Sequence, residues 1–261
     1  MTAGGIYAAR LPKTIKKTSP MNAHAPDFRF DNSFAREMEG FFVPWEGEHA
    51  PKPEILVLNR NFAADLRLDA DTLMSSEAIE VFAGSTAPQG ASPIAQAYAG
   101  HQFGGFTQQL GDGRALLLGE VLDKNGHRFD IQLKGSGRTP YSRGGDGKAA
   151  IGPVLREYLM GEAMHALGIP TARALAAAST GEDVERDDVQ KVAVLTRVAA
   201  SHLRVGTFQF FAARKEHDKV RRLADYAIAR HYPHLIDFEN KYLAFLSAVI
   251  DAQIASVTKW V

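Results

Sequence analysis

The clearest alternation in the chain is FDIQLK (129–134), where Phe129, Ile131 and Leu133 alternate with Asp130, Gln132 and Lys134. A period of two places the apolar set on one face of a strand and the polar set on the other. Upstream, the leucine-rich ALLLGEV (115–121) predicts a strand buried on both faces. Between the two, DKNGHR holds Asn125-Gly126, a pair suited to a type I′ hairpin turn. FTQQL (106–110) predicts another strand ahead of the glycine turn LGDGR (110–114), so 106–134 reads as three consecutive antiparallel strands.

The period then lengthens. PVLREYLMGEAMHALG (153–168) predicts a helix, with Pro153 in its first turn and Gly168 and Pro170 at its end. TARALAAAST and KVAVLTRVA predict two more strands, and helical periodicity dominates from about 207 onward. The first third is less regular, with short elements in 32–42 and 53–66 and a Gly/Pro/Ser/Ala linker, FAGSTAPQGASP (82–93). The expected organisation is a flexible tail over 1–27, an N-terminal extension and linker over 28–93, a β-rich lobe with one key helix over 94–206, and the first helices of an α-rich lobe over 207–261. The fold class is α+β.

Composition narrows the partners. The 261 residues are 45% hydrophobic, enough to bury a core. Lysine plus arginine equals aspartate plus glutamate at 30 each, which argues against nucleic acid as the main partner. The absence of cysteine excludes disulfides, thiolate metal sites and a cysteine nucleophile. No apolar run reaches the ~18 residues of a spanning helix, so no membrane partner is expected. Arg10, Lys13, Lys16 and Lys17 precede the first acid, Asp27, as in a mitochondrial presequence, but arginine is scarce and a solvated tail is the preferred reading. The expected location is the cytoplasm, with the mitochondrion as the alternative.

Candidate chemistry gathers around the strands. Gly111-Asp112-Gly113-Arg114 is either a plain structural turn or a nest whose backbone N–H groups approach an anion. Lys134 either ends an edge strand in solvent or reaches phosphates beneath that turn. Glu157 is either a surface residue in the first turn of the next helix or the carboxylate that holds Lys134. After Lys134 comes GSGRTPYSRGGDGK (135–148), crowded with backbone amides and cations. Glycine turn, strand, lysine strand, then helix with glutamate is an order that resembles a protein-kinase small lobe. His231 and His234 flank Pro233 without a completing carboxylate motif, and Ser142 and His101 lack a triad context, so all four read as packing or loop residues.

Longer strings carry a more specific resemblance. YAGHQFGGFTQQLGDGRALLLGEV, DIQLKGSGRTPYSRGGDGKAA, LREYLMGEAMHALGIPTARAL and VLTRVAASHLRVGTFQFFA together resemble the selenoprotein O (YdiU) family, from about Phe82 to the C-terminus and more loosely back to about residue 27. That resemblance implies a protein-kinase-like fold that binds ATP in a flipped orientation. It also implies transfer of AMP to Ser, Thr or Tyr hydroxyls of protein substrates, with magnesium or manganese as the metal. It matches Gly111, Gly113, Arg114, Lys134, Asp146, Gly147, Arg197 and Arg204 to ATP-binding positions, and Glu157 to the lysine-orienting glutamate. Flipping the nucleotide calls for a second basic wall around the triphosphate, a role suited to 135–148 with Arg197 and Arg204. The family's catalytic loop, of His-Gly-Val-x-Asn-x-Asp-Asn type, and its later Asp-Tyr/Phe-Gly segment do not occur here. The chain therefore reads as an N-terminal half whose catalytic base and metal ligands lie beyond Val261 and whose C-terminal half is a partner. On this reading it is inactive alone; a non-catalytic nucleotide-binding or regulatory fragment is the alternative, and kinase-type phosphoryl transfer a third reading.

Overall fold

The strand that alternates in sequence lies inside an antiparallel sheet. The structure, a computed structural model, describes residues 26–260. The tail expected over 1–27 falls, except for its last two residues, outside the described part. Along the chain the elements are α1 (Ser33–Glu37), β1 (Phe42–Pro44), β2 (Glu54–Leu58), α2 (Arg60–Asp65), α3 (Ser76–Ala83), β3 (Ile94–Gln96), β4 (Gly100–Gln102) and β5 (Gly105–Thr107). They continue with β6 (Ala115–Leu122), β7 (Arg128–Lys134), β8 (Ala149–Ala150), α4 (Ile151–Ala166), β9 (Arg173–Glu185), β10 (Val189–Ala199), α5 (Val205–Ala212), α6 (His217–His231) and α7 (Lys241–Val257). The main sheet runs β1-β3-β6-β7-β10-β9-β2, with β8 also paired to β10. This is the mixed α+β architecture of a kinase-like fold.

One expected strand pairing is corrected. Residues 105–107 do not join β6; they pair with β4 in a separate two-stranded hairpin, and the outer neighbour of β6 is β3. Gly104 and Gly105 turn the chain tightly at this point, and Gln108–Leu110 make no ladder. The true partner strand hid behind Pro93, three residues long at the end of a linker-like composition. That composition also concealed a helix end, since Phe82 and Ala83 close α3 inside the core.

The period-two pattern of β7 sorts its neighbours. Ile131 and Leu133 face a core shared with Leu116 and Leu118 of β6, Val194 and Val198 of β10, and Phe62, Val81 and Phe82 from α2 and α3. On the other face, Leu117 and Ile94 pack with Phe34, Phe41, Phe211 and Leu223, which brings α1, α5 and α6 against the sheet. Beside them Ala174, Ala177 and Ala193 leave room for Val154 of α4 to approach β9 and β10 closely. Asp130, Gln132 and Lys134 thus form a polar row on the opposite face, the one shared with Leu117 and covered by α1, α5 and α6. Asp130 sits at its far end, where it accepts the His202 backbone N–H (2.7 Å) and pairs with Arg230 of α6 (2.5 Å). Buried Glu120 likewise accepts the Phe34 N–H (2.8 Å), tying α1 to β6. These buried charges are paired, as burial demands.

Candidate functional site

At the other end of the polar row, β-sheet register assembles a cluster of cations. In β7, Lys134 is opposite Ala115 of β6 and Leu195 of β10, so Arg114 and Lys134 come from adjoining strand ends. Arg197 of β10 is opposite Gln132. Antiparallel partners project to the same side, and the Arg197 guanidinium donates to the Gln132 carboxamide oxygen. Lys134 Nζ donates to Glu157 Oε2 across the gap to α4, while Arg197 donates to Glu157 Oε1 at 3.3 Å. Arg204, at the N-terminus of α5, stacks over the Tyr98 ring with its guanidinium carbon 4.6 Å from the centroid.

Electrostatics couples these groups. Burial pushes the Lys134 ammonium below its ordinary range, and the charges of Arg197 and Arg114 push it the same way against the pull of Glu157. Burial raises the Glu157 carboxyl, but Lys134 and Arg197 together carry it below the usual value. Arg197 is lowered by burial and by the charge of Arg204. Arg114, Lys134, Arg197 and Arg204, spread over ninety positions of sequence, therefore form one electrostatic group with Glu157 between two of them.

The floor is a carboxylate that the sequence reading passed over. Asp112 is fully buried, and its Oδ2 accepts the Gln96 backbone N–H (3.0 Å) and the Gln132 side-chain amide (3.3 Å). Arg204 Nη2 stands 3.8 Å from its Oδ1. Burial pushes this carboxyl up to about 6, against the opposing pull of Arg204, the Gln96 N–H and Arg197. Gln132 bridges Asp112 to Arg197, so it too belongs to the site. The strand alternation put Gln132 on the correct face; an aspartate between two turn glycines gave no sign that it points inward.

The two glycine segments are locked together. Gly111 has φ +62°, and a Cβ there would lie 2.2 Å from the Tyr141 ring. A Cβ on Gly113 would lie 2.9 Å from the Tyr141 carbonyl oxygen. The Thr139 hydroxyl donates to the Asp112 carbonyl at 2.6 Å, and the Ser142 hydroxyl to that of Gly113. The loop over 135–148 is thus laid directly on the 111–113 turn. Its far end is fixed differently. Gly147 (φ +70°) packs against the Gly137 carbonyl, and Asp146 receives two hydrogen bonds from Arg186 (2.8 and 3.0 Å) near the β9–β10 turn. Asp146 and Gly147 thus fold back on the residues that follow Lys134, where Ser136 bridges Lys148, and Arg186 is a partner that sequence spacing did not reveal.

The residues set aside earlier have ordinary surroundings. Ser142 serves its loop, and His231 meets the Ser201 hydroxyl at 2.9 Å with its pKa lowered by burial to about 4. Among the described residues no group of three or more His, Asp or Glu side chains could hold a metal ion, and no helix is long and apolar enough to cross a membrane.

Comparison with known proteins identifies the family. The family described as protein adenylyltransferase SelO matches residues 25–261. A protein nucleotidyltransferase YdiU of Cereibacter sphaeroides is 65% identical over 234 residues, covering 89% of this chain and 48% of the relative. The protein of the same name from Rhodococcus jostii is 57% identical over 261 residues, covering 98% and 50%. That from Rhizobium leguminosarum is 57% identical over 246 residues, covering 94% and 49%. The chain spans about half the length of the curated relatives it matches. With a family match running from residue 25 to the last residue, the chain belongs to the protein adenylyltransferase SelO family.

Proposed function

We propose that this chain forms the ATP-binding half of a protein adenylyltransferase, which transfers AMP from ATP to Ser, Thr or Tyr hydroxyls of proteins. The observation that carries the proposal is the gathering of Arg114, Lys134, Arg197 and Arg204 beside a glycine turn, with Glu157 paired to Lys134 and Arg197 and Asp112 close to Arg204. Four neighbouring cations against two carboxylates leave an excess of positive charge that a bound anion would compensate. A triphosphate supplies that charge, and arginine forks suit its geometry. Glu157 orients Lys134 and Arg197 together, so both donors are pre-aimed before nucleotide arrives. The 135–148 loop is pinned on the 111–113 turn by the Thr139 and Ser142 hydroxyls, which fixes the glycine turn beside Arg114. Family membership, rather than the cradle itself, supports AMP as the transferred group.

Magnesium ordinarily accompanies nucleotide transfer as a bridge between phosphate oxygens. Among the described residues no group of three or more His, Asp or Glu side chains could cage it.

The test is mass spectrometry of a protein substrate incubated with ATP, magnesium and this chain, alone and joined to the C-terminal half of the Cereibacter sphaeroides relative. The expected outcome is no adduct with the chain alone and an AMP adduct with the joined protein, abolished by Lys134→Met. A phosphate adduct, or labelling indifferent to Lys134, would overturn the proposal.

A further inference from the structure

Asp112 lies at the floor of the cation cluster without a committed ionic partner. Glu157 is bound by both Lys134 and Arg197, but Arg204 stops 3.8 Å short of Asp112, outside hydrogen-bond range. Asp112 Oδ1 is buried with no hydrogen-bond partner, while Oδ2 is fixed by Gln96 and Gln132. Arg204 therefore rests on Tyr98, attracted by the carboxylate but not bound to it.

The geometry points to Asp112 as an internal counter-ion of the phosphate site: it holds Arg204 in reserve while no anion is bound, then yields it to the triphosphate and takes a proton from solvent on Oδ1. This inference rests on reading the site as a nucleotide site. One proton moves and one O–H bond forms; the gain is the removal of a negative charge lying beneath an arriving polyanion. Asp112 is a positioning residue here, since it acts through Arg204 and, by way of Gln132, through Arg197.

The groups facing Asp112 set how readily the proton arrives. Arg204 from α5 and Arg197 from β10 favour the carboxylate, while burial and the charge of Asp130 on β7 favour the acid. The balance leaves the carboxyl at about 6, near enough to neutrality for an added anion to tip it. Tyr98 and Tyr141 also face it, but burial raises both phenols, Tyr141 to about 12, so neither exchanges the proton near pH 7.

The experiment is calorimetric titration of the 261-residue chain with ATP and magnesium at pH 7, in buffers of different ionisation enthalpy. The wild type should take up a substantial fraction of a proton per ATP bound, and its affinity should tighten as pH falls from 8 to 6, by up to about tenfold per pH unit for one linked proton. Asp112→Asn keeps an oxygen for the Gln96 and Gln132 donors and should lose both effects. In the wild-type chain, the carbon-13 carboxyl signal of Asp112 should titrate at least one pH unit higher with ATP than without; this measurement decides the matter alone if the variant does not fold. Equal proton counts in the two proteins, or an Asp112 that stays ionised in the complex at pH 7, would overturn the inference. Absence of any ATP binding would instead overturn the nucleotide reading itself, so the two failures are distinct.

Discussion

A buried carboxylate is costly even with Arg204 and Arg197 nearby, and Asp112 makes that cost measurable. Its folded pKa of about 6 lies above the ordinary 3.8. Below 3.8 both the folded and unfolded chains carry the acid, so ionisation costs nothing. Between 3.8 and 6 the unfolded chain ionises while the folded one resists, so stability falls as pH rises through this window and stays lowered above it. At about 1.4 kcal/mol per pH unit the gap is worth roughly 3 kcal/mol. Asp112→Asn should therefore raise the unfolding free energy at pH 7.5 by up to that amount, and thermal melts at pH 4 should show the gain gone. A variant less stable at pH 7.5 would mean that Asp112 is a structural anchor. Glu157 behaves in the opposite way, since Lys134 and Arg197 hold its pKa down despite burial. Glu157→Gln leaves Lys134 and Arg197 without their shared acceptor charge. Hydrogen bonds to charged groups are worth ~1.5–3 kcal/mol, so ATP affinity should fall roughly ten- to a hundredfold; fluorescence titration with a labelled ATP would measure it.

The element that shapes the site is the glycine-rich loop over 135–148, and its two ends make different demands. At the inner end, Gly111 meets the Tyr141 ring so closely, at φ +62°, that any side chain must displace it. Gly111→Ala should cost about 2 kcal/mol or more from backbone strain and overpacking, with hydrogen exchange rising in both segments. At the outer end the Arg186–Asp146 pair is partly exposed, and such pairs contribute ~0–1 kcal/mol. Arg186→Ala should leave global stability almost unchanged while amide exchange accelerates over 143–148. Protection unchanged there would show that the loop does not depend on that contact. Much of this element was legible in sequence. The alternation in 129–134 put Gln132 and Lys134 on one face, and the helix over 153–168 appeared with Glu157 in place. What could not be read was non-local. Strand β3 is only three residues long, and residues 105–107 curl back on β4 rather than joining β6. Arg186 reaches Asp146 across forty positions with no pattern to announce it.

For the whole molecule, the sheet and its two helical covers close one core but leave another surface open. Helix α7 has no buried residue, and Leu243, Leu246, Ile250, Ile254, Val257 and Trp260 are all exposed along or just beyond it. A cavity of about 830 Å³ opens between α5, α6 and α7, lined by Phe208, Tyr242, Phe245 and Leu246 among others. An apolar surface of this kind drives association. The isolated chain should bind a hydrophobic dye and self-associate in sedimentation, and Leu246→Glu with Ile250→Glu should suppress both without lowering the melting temperature of the sheet. Arg204 also borders this cavity, but the other cradle cations come from β6, β7 and β10 with Glu157 on α4, so nucleotide binding should survive changes at Leu246 and Ile250. Nucleotide binding depends on that cradle. Its most direct test is equilibrium binding of ATP to this chain, compared with Lys134→Met and Arg204→Gln under identical salt. Saturable one-site binding, weakened at least about tenfold by each substitution through loss of a charge-assisted contact, is the predicted result. Binding that is absent in the wild type, or equal in all three proteins, would contradict it.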